Sequence, residues 1–247
     1  MWPPATQIDC RRHARVRGLE SGHPAAPDGA VLSGTLPPAV CATFFCGCVI
    51  VEDMAATEST MLGLGTPAPD FALPDVVSGK TIALDTYTGK KGLLVMFVSP
   101  HCPYVKHIYS GLASLAHDYA GRELAIVAIS SNDPGQYPDD GPDGLRQMAR
   151  DLAFPFPYCY DETQDVAKAY TAACTPDFFL FDRQRKLVYR GQLDASRPGN
   201  QIPVTGKDLR AAIAAVLADQ PINPVQKPSM GCNIKWKRGN EPSYFLK

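Results

Sequence analysis

The chain has 247 residues, which is enough for one hydrophobic core with an appendage. Its 24 basic and 25 acidic residues leave a net charge of −1, so no basic field indicates nucleic-acid binding and no acidic block indicates a solvating tail. Eight cysteines are present, but a disulfide framework is typical of small secreted domains. The four cysteines beyond residue 60 lie far apart, as buried or reactive thiols do.

The first 60 residues differ from the rest of the chain. They are rich in Pro, Ala, Gly, Arg and Ser and show no sustained apolar period. Two interpretations stay open: a disordered extension, and a start site placed too early, with Met54 or Met61 as the natural beginning. In either case we expect a chain that starts at Met61 to fold with unchanged stability.

The longest apolar stretch of this segment covers residues 40–51. It is too short to span a bilayer and too far from the N-terminus for an ordinary secretory signal. The sequence therefore predicts no membrane segment and a cytoplasmic location. Cys41, Cys46 and Cys48 match no standard zinc spacing and have no histidine nearby, so we predict no metal site.

From residue 61 onward the pattern predicts one α/β domain over residues 61–220 and a tail over 221–247. Apolar runs bounded by turn residues predict strands at 80–84, 92–99, 124–130, 158–160, 178–182 and 187–190. Apolar periods with stop signals predict helices at 103–119, 142–152, 163–170 and 208–217, and Asp85 is placed to cap a single helical turn. This order predicts a mixed central sheet flanked by helices.

Cys102 lies between a predicted buried strand and Pro103, which opens a helical pattern. The free N–H groups of a helix start favour the thiolate, the reactive form of cysteine, and Lys106 and His101 are placed to add to this effect. We therefore expect the pKa of Cys102 to lie below the ordinary thiol value. The competing interpretation is a buried structural thiol, the usual state of free cysteines.

Five segments in order carry a family resemblance: 65–71 (GTPAPDF), 99–105 (SPHCPYV), 131–140 (SNDPGQYPDD), 174–182 (CTPDFFLFD) and 228–237 (PSMGCNIKWK). Over residues 62 to about 240 the chain resembles thioredoxin-like proteins, and more narrowly the peroxiredoxin-like alkyl hydroperoxide reductase/thiol-specific antioxidant group. The resemblance implies a thioredoxin-like fold with Pro176 in the cis form beside the active-site turn. It also implies a thiol oxidoreductase that needs no cofactor and acts on disulfides or peroxides with an unknown reductant.

Three positions depart from the family patterns. Val105 stands where thioredoxins have the second cysteine of Cys-x-x-Cys, so a dithiol cycle within one helical turn is excluded. Ser99 falls at the hydroxyl position of the peroxiredoxin pattern Pro-x-x-x-Thr/Ser-x-x-Cys, but Val95 replaces its proline. Pro176 and Asp177 follow Thr175 where a peroxiredoxin arginine is expected.

The identity of a resolving thiol stays open at the level of sequence. Cys174 either pairs with Cys102 or fills the core, and its place two residues before Pro176 allows its side chain to point away. Cys232 lies in a predicted flexible, basic tail, where it is a second resolving candidate or a bystander. Cys159, set among aromatic residues, is expected in the core, and His101 either tunes the Cys102 thiolate or only covers the turn.

Two functional classes follow. The first is a thiol oxidoreductase that reduces protein disulfides, small-molecule disulfides or peroxides through Cys102. The second is a non-catalytic thioredoxin-fold module that binds a peptide or a small thiol. A reachable second thiol favours the first class. Turn chemistry explains Asp133, Asp139 and Asp140, and a solvated tail explains the basic residues from Lys227 to Arg238, so neither is assigned a ligand.

Overall fold

The computed structural model describes residues 56–245. The strands of this part are β1 (Ala56–Glu58), β2 (Ala72–Pro74), β3 (Thr81–Ala83), β4 (Gly92–Phe97), β5 (Leu124–Ser130), β6 (Tyr158–Tyr160), β7 (Cys174–Thr175), β8 (Asp177–Phe181), β9 (Leu187–Gly191) and β10 (Met230–Asn233). The helices are α1 (Pro103–His107), α2 (Tyr109–Tyr119), α3 (Pro142–Asp151), α4 (Asp165–Ala169) and α5 (Lys207–Leu217), with 3-10 turns at Leu84–Tyr87 and Pro138–Asp140.

The central sheet has the strand order β6-β5-β4-β8-β9. β4, β5 and β6 run parallel, whereas β8 and β9 are antiparallel to their neighbours. Every residue of β4 and β5 is buried, as expected of central strands that are covered on both faces. The predicted thioredoxin-like fold with a mixed sheet is therefore confirmed.

Two apolar clusters cover the two faces of this sheet. On one face, α1, α2, α3 and α5 pack against the side chains of Leu94 and Met96. On the other face, α4 and the turn at Leu84–Tyr87 pack against Val95 and Phe97. Alternate residues of β4 point to opposite faces, so this one strand contributes to both cores.

A second sheet, of order β1-β10-β7, was not predicted from the sequence. β10 lies antiparallel between β1 and β7, with Cys232 opposite Ala56 on one side and Thr175 on the other. Ser59 continues the contact, because its N–H donates to the carbonyl of Ser229 at 3.0 Å. Backbone pairing thus makes both segments part of the folded unit.

These pairings correct two predicted boundaries. Residues 56–60 belong to the folded domain, although the extension was expected to end at residue 60. The segment around β10 is a buried strand, although a flexible tail was expected from residue 221 onward. The predictions for residues 1–55, including the extension and the cysteines at 10, 41, 46 and 48, fall outside the described residues.

The remaining elements differ from prediction only in detail. The helix expected over 103–119 is divided at Ile108, whose N–H bonds to the carbonyl of Val105 instead of continuing the α-helical ladder. The turn at Leu84–Tyr87 has Ala83 as its N-cap, so Asp85 lies inside the turn and does not cap it. Between residues 56 and 245 no helix is long and apolar enough to cross a membrane.

Candidate active site

Cys102 lies where the sequence predicts, in the turn between the end of β4 and the start of α1. It is the N-cap residue of α1, with Pro103 in the first helical position, and it is fully buried. Its sulfur lies 3.1 Å from the carbonyl oxygen of Thr175. The Thr175–Pro176 bond is cis, as the family resemblance predicts, so the Cys102 sulfur contacts the cis-proline loop.

The second thiol of the site comes from β10. The side chain of Cys232 lies close enough to the Cys102 thiol to shift its pKa, and the backbone N–H of Tyr104 in turn acts on the Cys232 thiol. The register explains this contact, because β10 places Cys232 directly opposite Thr175, the residue whose carbonyl faces Cys102. Cys232 is therefore a buried neighbour of Cys102 and lies neither in a mobile tail nor at the surface.

The thiol of Cys102 is acidified by its surroundings. Burial alone raises its pKa, but the Cys232 side chain and the backbone N–H groups of Val105 and Cys232 outweigh this effect and lower the pKa to about 6. The pKa of Cys102 is thus lowered, as expected, although the main cause of the lowering is Cys232. The sequence suggested Lys106 for this role, yet the side chain of Lys106 is exposed and is not among the causes.

The pKa values of the other three buried thiols are raised. The neighbouring Cys102, together with burial, raises the pKa of Cys232, which is opposite in direction to the shift at Cys102. Burial and the Asp75 carboxylate raise the pKa of Cys159 to about 12, which agrees with the expected core role. Burial and the nearby Asp177 also hold the pKa of Cys174 well above its ordinary value.

Cys174 points away from the site. Its sulfur donates to the carbonyl of Pro176 at 3.6 Å, and within the described residues no hydrogen bond joins it to Cys102. Successive residues of β7 alternate in direction, so the strand presents Thr175 to Cys102 and turns Cys174 into the core. Of the two sequence candidates, the structure brings Cys232 to Cys102 and does not bring Cys174.

Ser99 and His101 belong to a buried polar cluster next to Cys102. The Ser99 hydroxyl donates to Oδ1 of Asp140 at 2.8 Å, and Nδ1 of His101 contacts Oδ2 of the same carboxylate. Asn132 donates its side-chain N–H to Oδ2 at 2.8 Å. Ser99 thus directs its hydroxyl to Asp140 and not to the Cys102 sulfur, which differs from the peroxiredoxin role that its position suggested.

Sequence reasoning noted Asn132 and Asp140 as parts of a loop that resembles the family, but it assigned neither a role at the site. Asp140 was interpreted as a turn residue, and it does lie in the 3-10 turn at Pro138–Asp140, yet its side chain is fully buried. The only available signal was a pair of adjacent aspartates, and nothing in that pair distinguishes the exposed Asp139 from the buried Asp140.

The fold and the site together define a class: a thioredoxin-like protein with one acidified cysteine at the cis-proline loop and a second cysteine supplied from a distant strand. The model of the AhpC/TSA family matches residues 64–190, which is just over half of the chain, and the chain belongs to this family. The matched part includes Cys102 and Cys174 but ends before Cys232.

Two solved structures resemble the chain closely. An uncharacterized conserved protein from Geobacillus kaustophilus is 53% identical, with a TM-score of 0.73, over 74% of this chain and 97% of its own. A hypothetical protein from Sinorhizobium meliloti is 50% identical, with a TM-score of 0.72, over 74% of this chain and 100% of its own. More distantly, the thiol-disulfide oxidoreductase ResA of Geobacillus thermodenitrificans is 27% identical over 53% of this chain and 70% of its own length.

Proposed function

We propose that the protein is a dithiol–disulfide oxidoreductase in which Cys102 is the nucleophile and Cys232 is the resolving thiol. The observation that supports this most directly is the position of Cys232, which is paired with Thr175, the residue whose carbonyl contacts the Cys102 sulfur, together with a Cys102 pKa of about 6. A thiol with that pKa is largely thiolate at neutral pH, and the thiolate is the nucleophile in disulfide exchange.

The proposed reaction has two exchange steps. The Cys102 thiolate attacks one sulfur of a substrate disulfide, the S–S bond breaks, and half of the substrate leaves as a thiol after taking up a proton. Cys232 then gives up its proton and attacks the Cys102 sulfur, releasing the second half as a thiol. The protein has supplied two electrons and ends as a Cys102–Cys232 disulfide, which a cellular dithiol returns to the reduced form.

Burial of both sulfurs narrows the proposed substrate. Cys102 is 0% exposed and Cys232 only 1% exposed, so a disulfide on the surface of a folded protein meets neither sulfur without local opening. We therefore favour small-molecule disulfides over protein disulfides. Peroxide reduction is the weaker branch, because the Ser99 hydroxyl is bound to Asp140 and Val95 replaces the expected proline. We propose the cytoplasm as the place of action, because a cellular dithiol that can reduce the Cys102–Cys232 disulfide is maintained there.

The competing proposal of a non-catalytic binding module is less well supported. Such a module needs only the surface beside Pro176, whereas a second thiol that lies beside Cys102 serves turnover.

The test is the consumption of hydroxyethyl disulfide by the reduced protein. We expect Cys102→Ser to abolish the part of the reaction that depends on the site. Cys232→Ser should stop at a mixed disulfide on Cys102, which peptide mass spectrometry detects. Cys159→Ser is the matched control, because that thiol is equally buried but its pKa is raised. Equal consumption by Cys102→Ser and the unaltered protein would refute the proposal.

A further inference from the structure

His101 carries a buried polar atom without a partner. Its side chain is only 9% exposed, and Nε2 has no hydrogen bond within the described residues. Buried polar atoms are nearly always paired, because an unpaired one costs about 1–3 kcal/mol. His101 directly precedes Cys102 in the chain, so this unpaired ring nitrogen belongs to the residue beside the nucleophile of the proposed reaction.

The other nitrogen of the His101 ring, Nδ1, contacts the buried carboxylate of Asp140. Asp140 is fully buried and accepts hydrogen bonds from the Ser99 hydroxyl at 2.8 Å and from the Asn132 amide at 2.8 Å. Its Oδ2 atom also contacts Nδ1 of His101. A carboxylate only accepts, so Nδ1 carries the hydrogen of that bond. Nε2 is consequently the ring atom that is left free to contact a substrate.

The face of the His101 ring packs against an aromatic side chain. Tyr137 stacks on it with 4.0 Å between the ring centroids and 8° between the planes. Lys235 lies over Tyr137 at 5.6 Å, and its backbone N–H donates to the side chain of Asn132 at 2.9 Å. Lys235 is three residues beyond Cys232, so the same segment that supplies the second thiol also closes the cluster around His101.

We propose that His101 carries the proton of thiol exchange at Cys102 and that Asp140 is the positioning residue which presents its Nε2 atom. This inference rests on the proposed function. Cys102 is fully buried, so the substrate thiolate that is expelled when its sulfur attacks forms where bulk water is excluded. A group of the protein must therefore supply the proton that this thiolate takes up. His101, the residue directly before Cys102, offers the unpaired nitrogen for this transfer.

Protons and electrons balance over the cycle. The protonated His101 gives its Nε2 proton to the first thiolate expelled from the substrate, as the bond between Cys102 and the other substrate sulfur forms. The neutral ring then takes the proton of Cys232, whose thiolate attacks the mixed disulfide. The second substrate thiolate receives that proton from His101. Two thiols leave, two electrons are transferred, and the ring ends neutral.

The test compares two leaving groups in single-turnover reactions of the full chain. Hydroxyethyl disulfide expels an alkyl thiolate that needs a proton, whereas dithiobis-nitrobenzoate expels an aryl thiolate that is stable without one. Rapid acid quenching and peptide mass spectrometry report modification at Cys102 itself. We expect His101→Asn, which keeps an N–H for Asp140, to slow the alkyl reaction by about a hundredfold and to leave the aryl reaction nearly unchanged.

Asp140→Asn should also slow the alkyl reaction and leave the aryl reaction nearly unchanged, but the slowing should be smaller. Asp139→Asn is its matched control, because it removes one carboxylate from the same turn but at an exposed position. Equal slowing of both reactions in a folded His101→Asn variant would overturn the inference, since a purely structural role does not depend on the leaving group. His101→Gln repeats the comparison if His101→Asn does not fold. Failure of the unaltered protein to react at Cys102 with either disulfide would instead overturn the proposed function.

Discussion

Replacing Cys232 with alanine should make Cys102 less acidic. The Cys232 side chain is the foremost of the groups that lower the pKa of Cys102, and alanine removes its S–H donor while keeping the backbone N–H. A hydrogen bond to a charged group is worth about 1.5–3 kcal/mol, so the ionisation constant of Cys102 should fall by about ten- to a hundredfold.

The assay is the rate at which iodoacetamide labels Cys102, followed by peptide mass spectrometry over a range of pH. In the unaltered protein the pKa is lowered, so the rate should rise through about pH 6 and level off above it. In Cys232→Ala the rise should come at higher pH. Cys174→Ala is the matched control, because the Cys174 sulfur bonds to Pro176 instead. An unchanged midpoint in Cys232→Ala would refute the reasoning.

Two further predictions concern the strand that carries Cys232. The structure overturns the expectation of unchanged stability for a chain that starts at Met61. Such a chain loses β1 and the bonds of Ser59, so we expect a free energy of unfolding lower by about 2–3 kcal/mol than for a chain that starts at Met54, measured by urea denaturation. Equal urea midpoints would contradict the role of β1. Gly231→Ala places a Cβ atom 1.9 Å from the carbonyl oxygen of Thr175, so β10 must shift, at a cost of about 1–3 kcal/mol and with slower labelling of Cys102. Gly63→Ala, whose nearest neighbour is at 3.7 Å, is the control, and equal stability of the two variants would exclude the close packing of β10.

The central fold could be predicted because its signals are local. The run at 93–97 is apolar throughout and ends at Ser99–Pro100, and β4 and β5 lie where such runs predict buried strands. The position of Cys102 at a helix start followed from the same pattern. Strand β6 and the hairpin of β8 and β9 were placed correctly for the same reason.

The second sheet could not be predicted because its strands are short and their partners are distant in sequence. β10 has four residues, and it pairs with β7, some 57 positions earlier, and with β1 near the start of the described part. Cys232 and Ile234 do alternate with the polar residues Asn233 and Lys235, a weak strand signal, but the surrounding Pro, Gly and Lys residues suggested a tail.

The acid–base part of the site depends on packing in the same way. Asp139 and Asp140 are equivalent in the sequence, and only the fold places one at the surface and the other beneath His101. The choice between Cys174 and Cys232 was likewise a matter of strand direction and register. Both are decided by tertiary contacts that no local pattern records.

The most direct test of the account is the disulfide map of the oxidised protein. The full chain is treated with hydroxyethyl disulfide, its remaining thiols are blocked with iodoacetamide, and its peptides are analysed by mass spectrometry without reduction. The account predicts a bridge between Cys102 and Cys232, formed equally well in Cys174→Ser. A bridge between Cys102 and Cys174, or a Cys102 that stays in a mixed disulfide while Cys232 remains free, would contradict it.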